Sequence, residues 1–140
     1  MNSAVVDASV WVAAVHKASV HRPDSYACLV RLRELRWQVM VPTIARVEIA
    51  CALARRWRSP ARARRTTTTL LKASATTEWP LMPGAIERAQ LIGTEQYLRA
   101  ADAIYAAEAV SSGIPLISWD AELIRRAGAM SPTTWLQANT

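Results

Sequence analysis

Short apolar segments alternate with helical patterns along this sequence, and that alternation limits the possible fold more than any other feature. The apolar segments predict strands at residues 3–6, 38–41, 78–82 and 116–118. The helical patterns cover residues 8–17, 24–36, 44–57, 60–73, 84–92, 101–112 and 121–127. Strands that alternate with helices through short connections pair in parallel and are covered by helices on both faces. The sequence therefore predicts one α/β domain over residues 1–140, with a central parallel sheet flanked by helices.

The third predicted strand differs from the others because it contains Pro80. Proline has no backbone N–H and cannot complete the hydrogen bonding of a central strand. We therefore expect this segment at an edge of the sheet, or Pro80 at the start of its strand.

Arginine dominates the charge of the chain. The formal net charge is +6, and fifteen of the seventeen basic residues are arginines. Arginine is the preferred cation for flat, bidentate contacts to phosphate, so the composition favours an acidic or polyanionic partner. No glycine-rich phosphate loop of either usual pattern is present, which disfavours a nucleotide cofactor. No stretch approaches the ~20 apolar residues that span a bilayer and no export signal is evident, so we expect a cytoplasmic protein without membrane contact.

Cysteines and histidines do not suggest a metal site of their own. Cys28 and Cys51 lie within apolar helical patterns and have neither C-x-x-C spacing nor neighbouring histidines, which predicts buried free thiols in a reducing compartment. His16 and His21 have no third nitrogen or thiol ligand nearby in sequence. Both are expected at the surface rather than on a metal.

Four acidic residues occupy positions that call for an explanation. Asp7 and Asp120 follow the first and fourth predicted strands, and open parallel sheets bind ligands at that rim. Each could also be only an N-cap, and Asp102 could be explained by the dipole of the helix that it begins. Glu48 shares a helical face with apolar residues. It is therefore either neutralised by an arginine such as Arg55 or held at the edge of a cleft.

If the four carboxylates converge, they cannot all remain ionised without a cation. Two such charges ~5 Å apart repel by roughly 3 kcal/mol at an effective dielectric near 20, and every pair adds such a cost. Either some pKa values rise, or a hard divalent cation neutralises the group. Oxygen ligands without cysteine or histidine suit Mg²⁺ or Mn²⁺, which lower the pKa of bound water and stabilise charge on phosphate. This pattern predicts a metal-dependent phosphodiesterase.

A basic segment adds to that prediction. Six arginines lie within eleven residues around the break between two predicted helices: Arg55, Arg56, Arg58, Arg62, Arg64 and Arg65. One interpretation is a solvated surface, and the other is a groove that follows a nucleic-acid backbone with steep salt dependence. Trp119, beside Asp120, is a candidate for stacking on a base.

Four segments carry the candidate site residues in a recognisable order. They are Val5-Val6-Asp7-Ala8-Ser9, then Glu48, then Arg99-Ala100-Ala101-Asp102-Ala103-Ile104-Tyr105-Ala106-Ala107, and finally Ile117-Ser118-Trp119-Asp120. Their order and spacing resemble those of the PIN-domain ribonucleases, the bacterial VapC-type toxins in particular. Trp119 departs from that pattern, because relatives often have a polar or basic residue there.

The resemblance implies a PIN-like three-layer fold and an acidic metal site of Asp7, Glu48, Asp102 and Asp120. Ser118 and Ser9 stand where the family carries supporting hydroxyls, and we expect Ser118 to take part in catalysis. The implied activity is Mg²⁺- or Mn²⁺-dependent endonucleolytic cleavage of RNA, in which a metal-activated water attacks the phosphate in line. Asp7, Glu48 and Asp102 would hold the principal ion, with Asp120 aiding it or a second ion.

The resemblance also implies a homodimer and a toxin-antitoxin system with a cognate VapB-type antitoxin. The arginine run could contact that antitoxin instead of RNA, and the sequence does not separate the two uses. The alternative to an enzyme is a catalytically silent PIN-fold module that binds nucleic acid or protein. Retention of all four acids favours the enzyme, because a binding module has no need of their repulsion.

Overall fold

The computed structural model describes residues 1–140 and contains one fully parallel sheet. Its strands are β1 (Ser3–Val6), β2 (Gln38–Pro42), β3 (Thr77–Trp79) and β4 (Leu116–Ile117), in the order β3-β2-β1-β4. In this register Val6 pairs with Ile117. The chain segments that leave β1 and β4 therefore emerge side by side at the same edge of the sheet.

Eight helices surround the sheet in a three-layer α/β/α arrangement, which confirms the predicted fold class. They are α1 (Ala8–Val15), α2 (Arg22–Glu34), α3 (Ile44–Trp57), α4 (Pro60–Ala73), α5 (Pro83–Glu95), α6 (Ala100–Ser112), α7 (Ala121–Ala127) and α8 (Pro132–Ala138). None combines the length and the apolar character that a membrane crossing requires.

The core forms around β1, whose residues Ala4, Val5 and Val6 have no exposed surface. A strand buried on both faces is typical of a parallel sheet, and it accounts for the unbroken apolar run in the sequence. Large side chains from the helices, including Trp11 and Ile49, complete the same cluster. Full burial of an aliphatic side chain such as that of Ile49 contributes roughly 1.5–3 kcal/mol. The packed core therefore fixes the positions of the strand ends that carry the candidate site residues.

Several element boundaries differ from the predicted ones for local reasons. The predicted helix 24–36 begins earlier, at Arg22, and ends at Glu34. Its end is set by Arg36, whose positive φ of 57° is incompatible with a continuing helix. The predicted strand 78–82 is shorter and ends at Trp79, directly before Pro80, and β3 lies at the sheet edge as expected.

Helix α8 is absent from the predicted elements. Ser131 caps it by accepting a hydrogen bond from the backbone N–H of Thr134 at 3.1 Å, and Pro132 occupies its first turn. Both are ordinary helix-start signals. Trp135 anchors the helix, with 1% of its surface exposed.

Candidate active site

Asp7 leaves β1 as the N-cap of α1 and is the most enclosed acid of the site, with 6% of its surface exposed. Its Oδ2 atom accepts hydrogen bonds from Ser9 Oγ at 2.6 Å and Ser118 Oγ at 2.8 Å. Burial raises the pKa of Asp7, while these hydrogen bonds act in the opposite direction. No basic side chain forms an ion pair with Asp7.

Two serine hydroxyls connect the end of β1 to the turn after β4. Ser118, which is fully buried, donates to Asp7 and accepts from the backbone N–H of Asp120 at 2.9 Å. Ser9 Oγ accepts from the backbone N–H of Trp119 at 3.1 Å and lies 3.4 Å from Ser118 Oγ. Both serines therefore fix the orientation of the Asp7 carboxylate relative to the turn that carries Asp120.

Glu48 on α3 faces the same rim and is half-buried. Its Oε1 accepts a hydrogen bond from the Tyr105 hydroxyl of α6 at 2.8 Å, and no arginine pairs with it. The interpretation in which Arg55 neutralises Glu48 is therefore wrong. Burial raises the pKa of Glu48; the Tyr105 hydrogen bond lowers it, and the charges of Asp7 and Asp102 raise it further.

Tyr105 was part of the motif in the sequence, but its contact with Glu48 was not predicted. The tyrosine is fully buried, and its pKa is raised first by burial and then by the charges of Asp7 and Glu48. Tyr105 therefore stays protonated and acts as a hydrogen-bond donor, which fixes the orientation of the Glu48 carboxylate.

Arg99 bridges the other two acids. Its Nε donates to Asp102 Oδ2 at 3.0 Å, and its Nη2 donates to Asp120 Oδ2 at 2.7 Å. Burial raises the pKa of Asp102, Arg99 lowers it, and the charges of Asp120 and Asp7 raise it. Asp120 also caps α7 by accepting from the backbone N–H of Leu123 at 3.0 Å, so its N-cap interpretation is correct as well.

The charges of the four acids influence one another's pKa values. Asp7 acts on both Glu48 and Asp102, and Asp120 acts on Asp102. As the side chains stand, no three carboxylates, imidazoles or thiols form a group that could hold a metal ion together. The donor chemistry nevertheless fits Mg²⁺ or Mn²⁺, because the acids offer only oxygen ligands and Arg99 compensates only Asp102 and Asp120.

Asp102 and Asp120 line a separate pocket with Arg99, and a cleft of about 650 Å³ opens beside Glu48. Ser9 and Glu48 lie on its wall together with Arg55 and Arg56. Cys51 also lines it and is exposed, so the expectation that Cys51 is buried was wrong. The apolar face of α3 that carries Glu48 borders a cleft at this point rather than the core.

The arginine run does not act as one surface. Only Arg55 and Arg56 line the cleft, while Arg64 lines a separate groove formed by α3 and α4. Arg58 ends α3 in a left-handed conformation. The guanidinium of Arg62 lies 4.0 Å from the centre of the Trp57 ring, a cation–π contact. Arg65 is exposed on α4.

Comparison with known proteins identifies the family. The sequence profile of the PIN domain matches residues 4–129. The chain belongs to the PIN domain family, as its motifs suggested. Among curated proteins, no sequence matches this chain.

Solved structures share the architecture. PAE2754 from Pyrobaculum aerophilum is 25% identical, and the similarity covers 98% of this chain and 88% of that one, with a TM-score of 0.74. VapC20 from Mycobacterium tuberculosis, described as a Sarcin-Ricin loop cleaving toxin, is 19% identical over 87% of this chain and 93% of VapC20, with a TM-score of 0.70. VapBC2 from Rickettsia felis was solved with a bound DNA fragment from the promoter. One of its chains is 13% identical over 92% of this chain and 96% of that one, also with a TM-score of 0.70.

Proposed function

We propose that this chain is a metal-dependent endoribonuclease and the toxin of a type II VapBC-like toxin-antitoxin system. The observation that carries the proposal is the acidic cluster at the carboxyl ends of β1 and β4. Asp7, Glu48 and Asp102 come from three different elements, and each has a raised pKa. Acids that perturb one another's pKa values beside a cleft are typical of catalytic or metal sites.

Mg²⁺ or Mn²⁺ would be held by Asp7, Glu48 and Asp102, with Asp120 in a supporting position. When bound, the ion would lower the pKa of a water and stabilise negative charge on the scissile phosphate. The chain's own groups prepare this site. Ser118 and Ser9 orient Asp7, and Tyr105 orients Glu48. Such outer hydrogen bonds typically hold ligands in their binding orientation.

RNA is the proposed substrate because the cleft brings Glu48 together with exposed cations. Arg55 and Arg56 share its wall with Glu48, so a phosphate backbone could follow the arginines toward the acidic rim. VapC20, one of the structural neighbours, is described as a Sarcin-Ricin loop cleaving toxin. Arg64 and Arg65, which are exposed on α4, are then available for a cognate VapB-type antitoxin.

The remaining parts of the proposal concern its setting. Structural neighbours include a VapBC2 protein and a toxin-antitoxin complex from Klebsiella pneumoniae. We infer that this chain also forms a homodimer, pairs with an antitoxin, and acts on RNA in the cytoplasm.

A catalytically silent PIN-fold module is the second candidate, and one observation favours it. The guanidinium of Arg99 forms ion pairs with Asp102 and Asp120. In their present conformations, no three acids are arranged to hold a metal ion. Such a module would bind RNA or protein without cleaving either.

Cleavage of a labelled RNA by the purified protein separates the two candidates. We expect cleavage with Mg²⁺ or Mn²⁺, none with a chelator, and none by Asp7→Asn. Glu122→Gln is the matched control, because this acid pairs with Arg125 and Arg126 on α7. Cleavage that survives chelation or Asp7→Asn would contradict the metal assignment, and RNA binding without cleavage under any condition would support the silent module.

A further inference from the structure

Two aromatic rings form a stacked pair on the wall of the cleft. The imidazole of His21 lies over the indole of Trp119, with ring centres 3.9 Å apart and planes inclined by 16°. Both residues line the cleft that Glu48 and Arg55 border. His21 is exposed, stands at the N-cap position of α2, and makes no capping hydrogen bond there. Its ring is therefore not required to start the helix.

Trp119 is held in place from two sides. Its backbone N–H donates to Ser9 Oγ at 3.1 Å, and its indole N–H donates to Oγ of the fully buried Ser25 at 2.7 Å. Ser9 in turn donates to Asp7 at 2.6 Å. The Ser9 hydroxyl thus links the backbone of Trp119 to the central acid of the site, while Ser25 holds the indole, so the stacking surface keeps a fixed position relative to that acid.

The surroundings combine the features that bind single-stranded nucleic acid. Stacking platforms and neighbouring cations are the usual elements of such grooves, because every base has a flat face and every nucleotide a phosphate. Here the platform is the His21–Trp119 pair, and the cations are Arg55 and Arg56. Trp119 covers one face of the imidazole. The opposite face of the exposed His21 ring is the one that a further ring can occupy.

We propose that an unpaired base of the RNA, close to the phosphate at Asp7, stacks on His21 and extends the His21–Trp119 pair. The inference rests on the proposed function for its RNA substrate and adds a subsite that positions and selects the substrate. It also gives a role to Trp119, where this chain departs from the family pattern. A contact with an antitoxin side chain is the other use of the pair, but the flat stack and the adjoining arginines favour a base.

Equilibrium binding without cleavage tests the subsite. Fluorescence anisotropy of a labelled single-stranded RNA octamer is measured in EDTA at low salt, with the intact RNA and with a series of octamers that each lack one base. In the wild type, loss of one particular base is expected to weaken binding about 5- to 150-fold, the range for one base stacked on an aromatic side chain. His21→Ala is expected to weaken binding of intact RNA similarly and to be insensitive to loss of that base.

Tyr26→Ala is the matched control, because Tyr26 is an exposed aromatic residue of α2 that does not line the cleft. It should bind every octamer as the wild type does. Trp119→Phe should retain most of the affinity, because it keeps an aromatic platform while it loses the bond to Ser25.

Three results would overturn the subsite. The first is unchanged RNA binding by His21→Ala, which would leave the pair to a protein contact. The second is an equal loss for Tyr26→Ala and His21→Ala, and the third is a loss in His21→Ala that persists when the base is absent. Because the assay contains no metal, failure of RNA cleavage in Mg²⁺ would refute the nuclease assignment without changing this result.

Discussion

The acidic site has two halves that balance their charge in different ways. Asp7 and Glu48 accept hydrogen bonds from the hydroxyls of two serines and a tyrosine and from one backbone N–H, and neither pairs with a cation. Asp102 and Asp120 share the guanidinium of Arg99, whose side chain is 71% exposed. An exposed ion pair is screened by water and contributes little, whereas a buried carboxylate without a cation has no such compensation. The need for a divalent cation is therefore greatest on the side of Asp7 and Glu48.

The largest expected effect comes from Asp7→Asn. RNA cleavage should fall by more than about 100-fold, since loss of a direct ligand should cost more than the 10- to 100-fold typical of outer contacts. The thermal stabilisation produced by Mg²⁺ should disappear with it. Cleavage rates and melting curves with and without Mg²⁺ measure both.

Asp120→Asn is the matched comparison for the other half. Asparagine also caps α7, so the fold is preserved. We expect a smaller loss of cleavage than in Asp7→Asn, because Asp120 already shares Arg99. A larger loss in Asp120→Asn than in Asp7→Asn would reverse the comparison between the halves.

The second-largest expected effect concerns the hydroxyl of Ser118, which lies between Asp7 and the backbone of Asp120. Ser118→Ala removes a donor to Asp7 and the acceptor of the Asp120 backbone N–H. Cleavage is expected to fall about 10- to 100-fold, as for other groups that orient metal ligands. Ser112→Ala, at the exposed end of α6, is the control and should cleave RNA like the wild type. Wild-type kinetics of Ser118→Ala at limiting Mg²⁺ would show that this hydroxyl does not orient the site.

The fold class and the rim positions of Asp7 and Asp120 were predictable because they depend on local signals. Apolar runs, helical periodicity and turn residues define the alternation of strands and helices, and that alternation implies a parallel sheet. Asp7 and Asp120 then follow β1 and β4 to the same edge without further information. Only α8 was missed, although Ser131 and Pro132 carried its start signal.

The partners of the acids were not predictable, because they depend on contacts between elements far apart in the chain. Tyr105 reaches Glu48 across 57 positions, and Arg99 reaches Asp120 across 21. Both residues belong to the sequence motif that contains Asp102, but a motif does not show which atoms are in contact. The same limit explains Cys51, whose apolar helical face borders a cleft instead of the core.

A third prediction concerns pH. The folded-state pKa values of Asp7, Glu48 and Asp102 are raised above their ordinary values of 3.8 for aspartate and 4.5 for glutamate. The native state therefore holds these protons more tightly than the unfolded state, and the stability that they contribute is lost as pH rises through the folded values. Urea unfolding in EDTA should show the free energy of unfolding falling as pH increases above about 4.

The free energy of unfolding of the wild type minus that of Asp7→Asn isolates the contribution of Asp7. In EDTA this difference should fall as pH rises. Saturating Mg²⁺ should make the fall smaller, because the ion favours the ionised carboxylate. A wild type that gains stability relative to Asp7→Asn as pH rises in EDTA would contradict a raised pKa at Asp7.

The smallest expected effect is that of Arg99→Gln. Exposed ion pairs contribute ~0–1 kcal/mol, so the metal-free protein should lose little stability and Mn²⁺ affinity should rise by at most about five-fold. Calorimetric titration with Mn²⁺ measures this change. Arg125→Gln, which removes another exposed ion pair, is the control. If Arg99→Gln abolished Mn²⁺ binding, Arg99 would be a required part of the site rather than a competitor for two of its acids.

The most direct test of the central claim is anomalous scattering from crystals of this protein grown with Mn²⁺. We expect a manganese peak within coordination distance of an Asp7 carboxylate oxygen, with Glu48 or Asp102 as a further ligand. No peak at Asp7, or a peak only between Asp102 and Asp120 with Arg99 displaced, would contradict it.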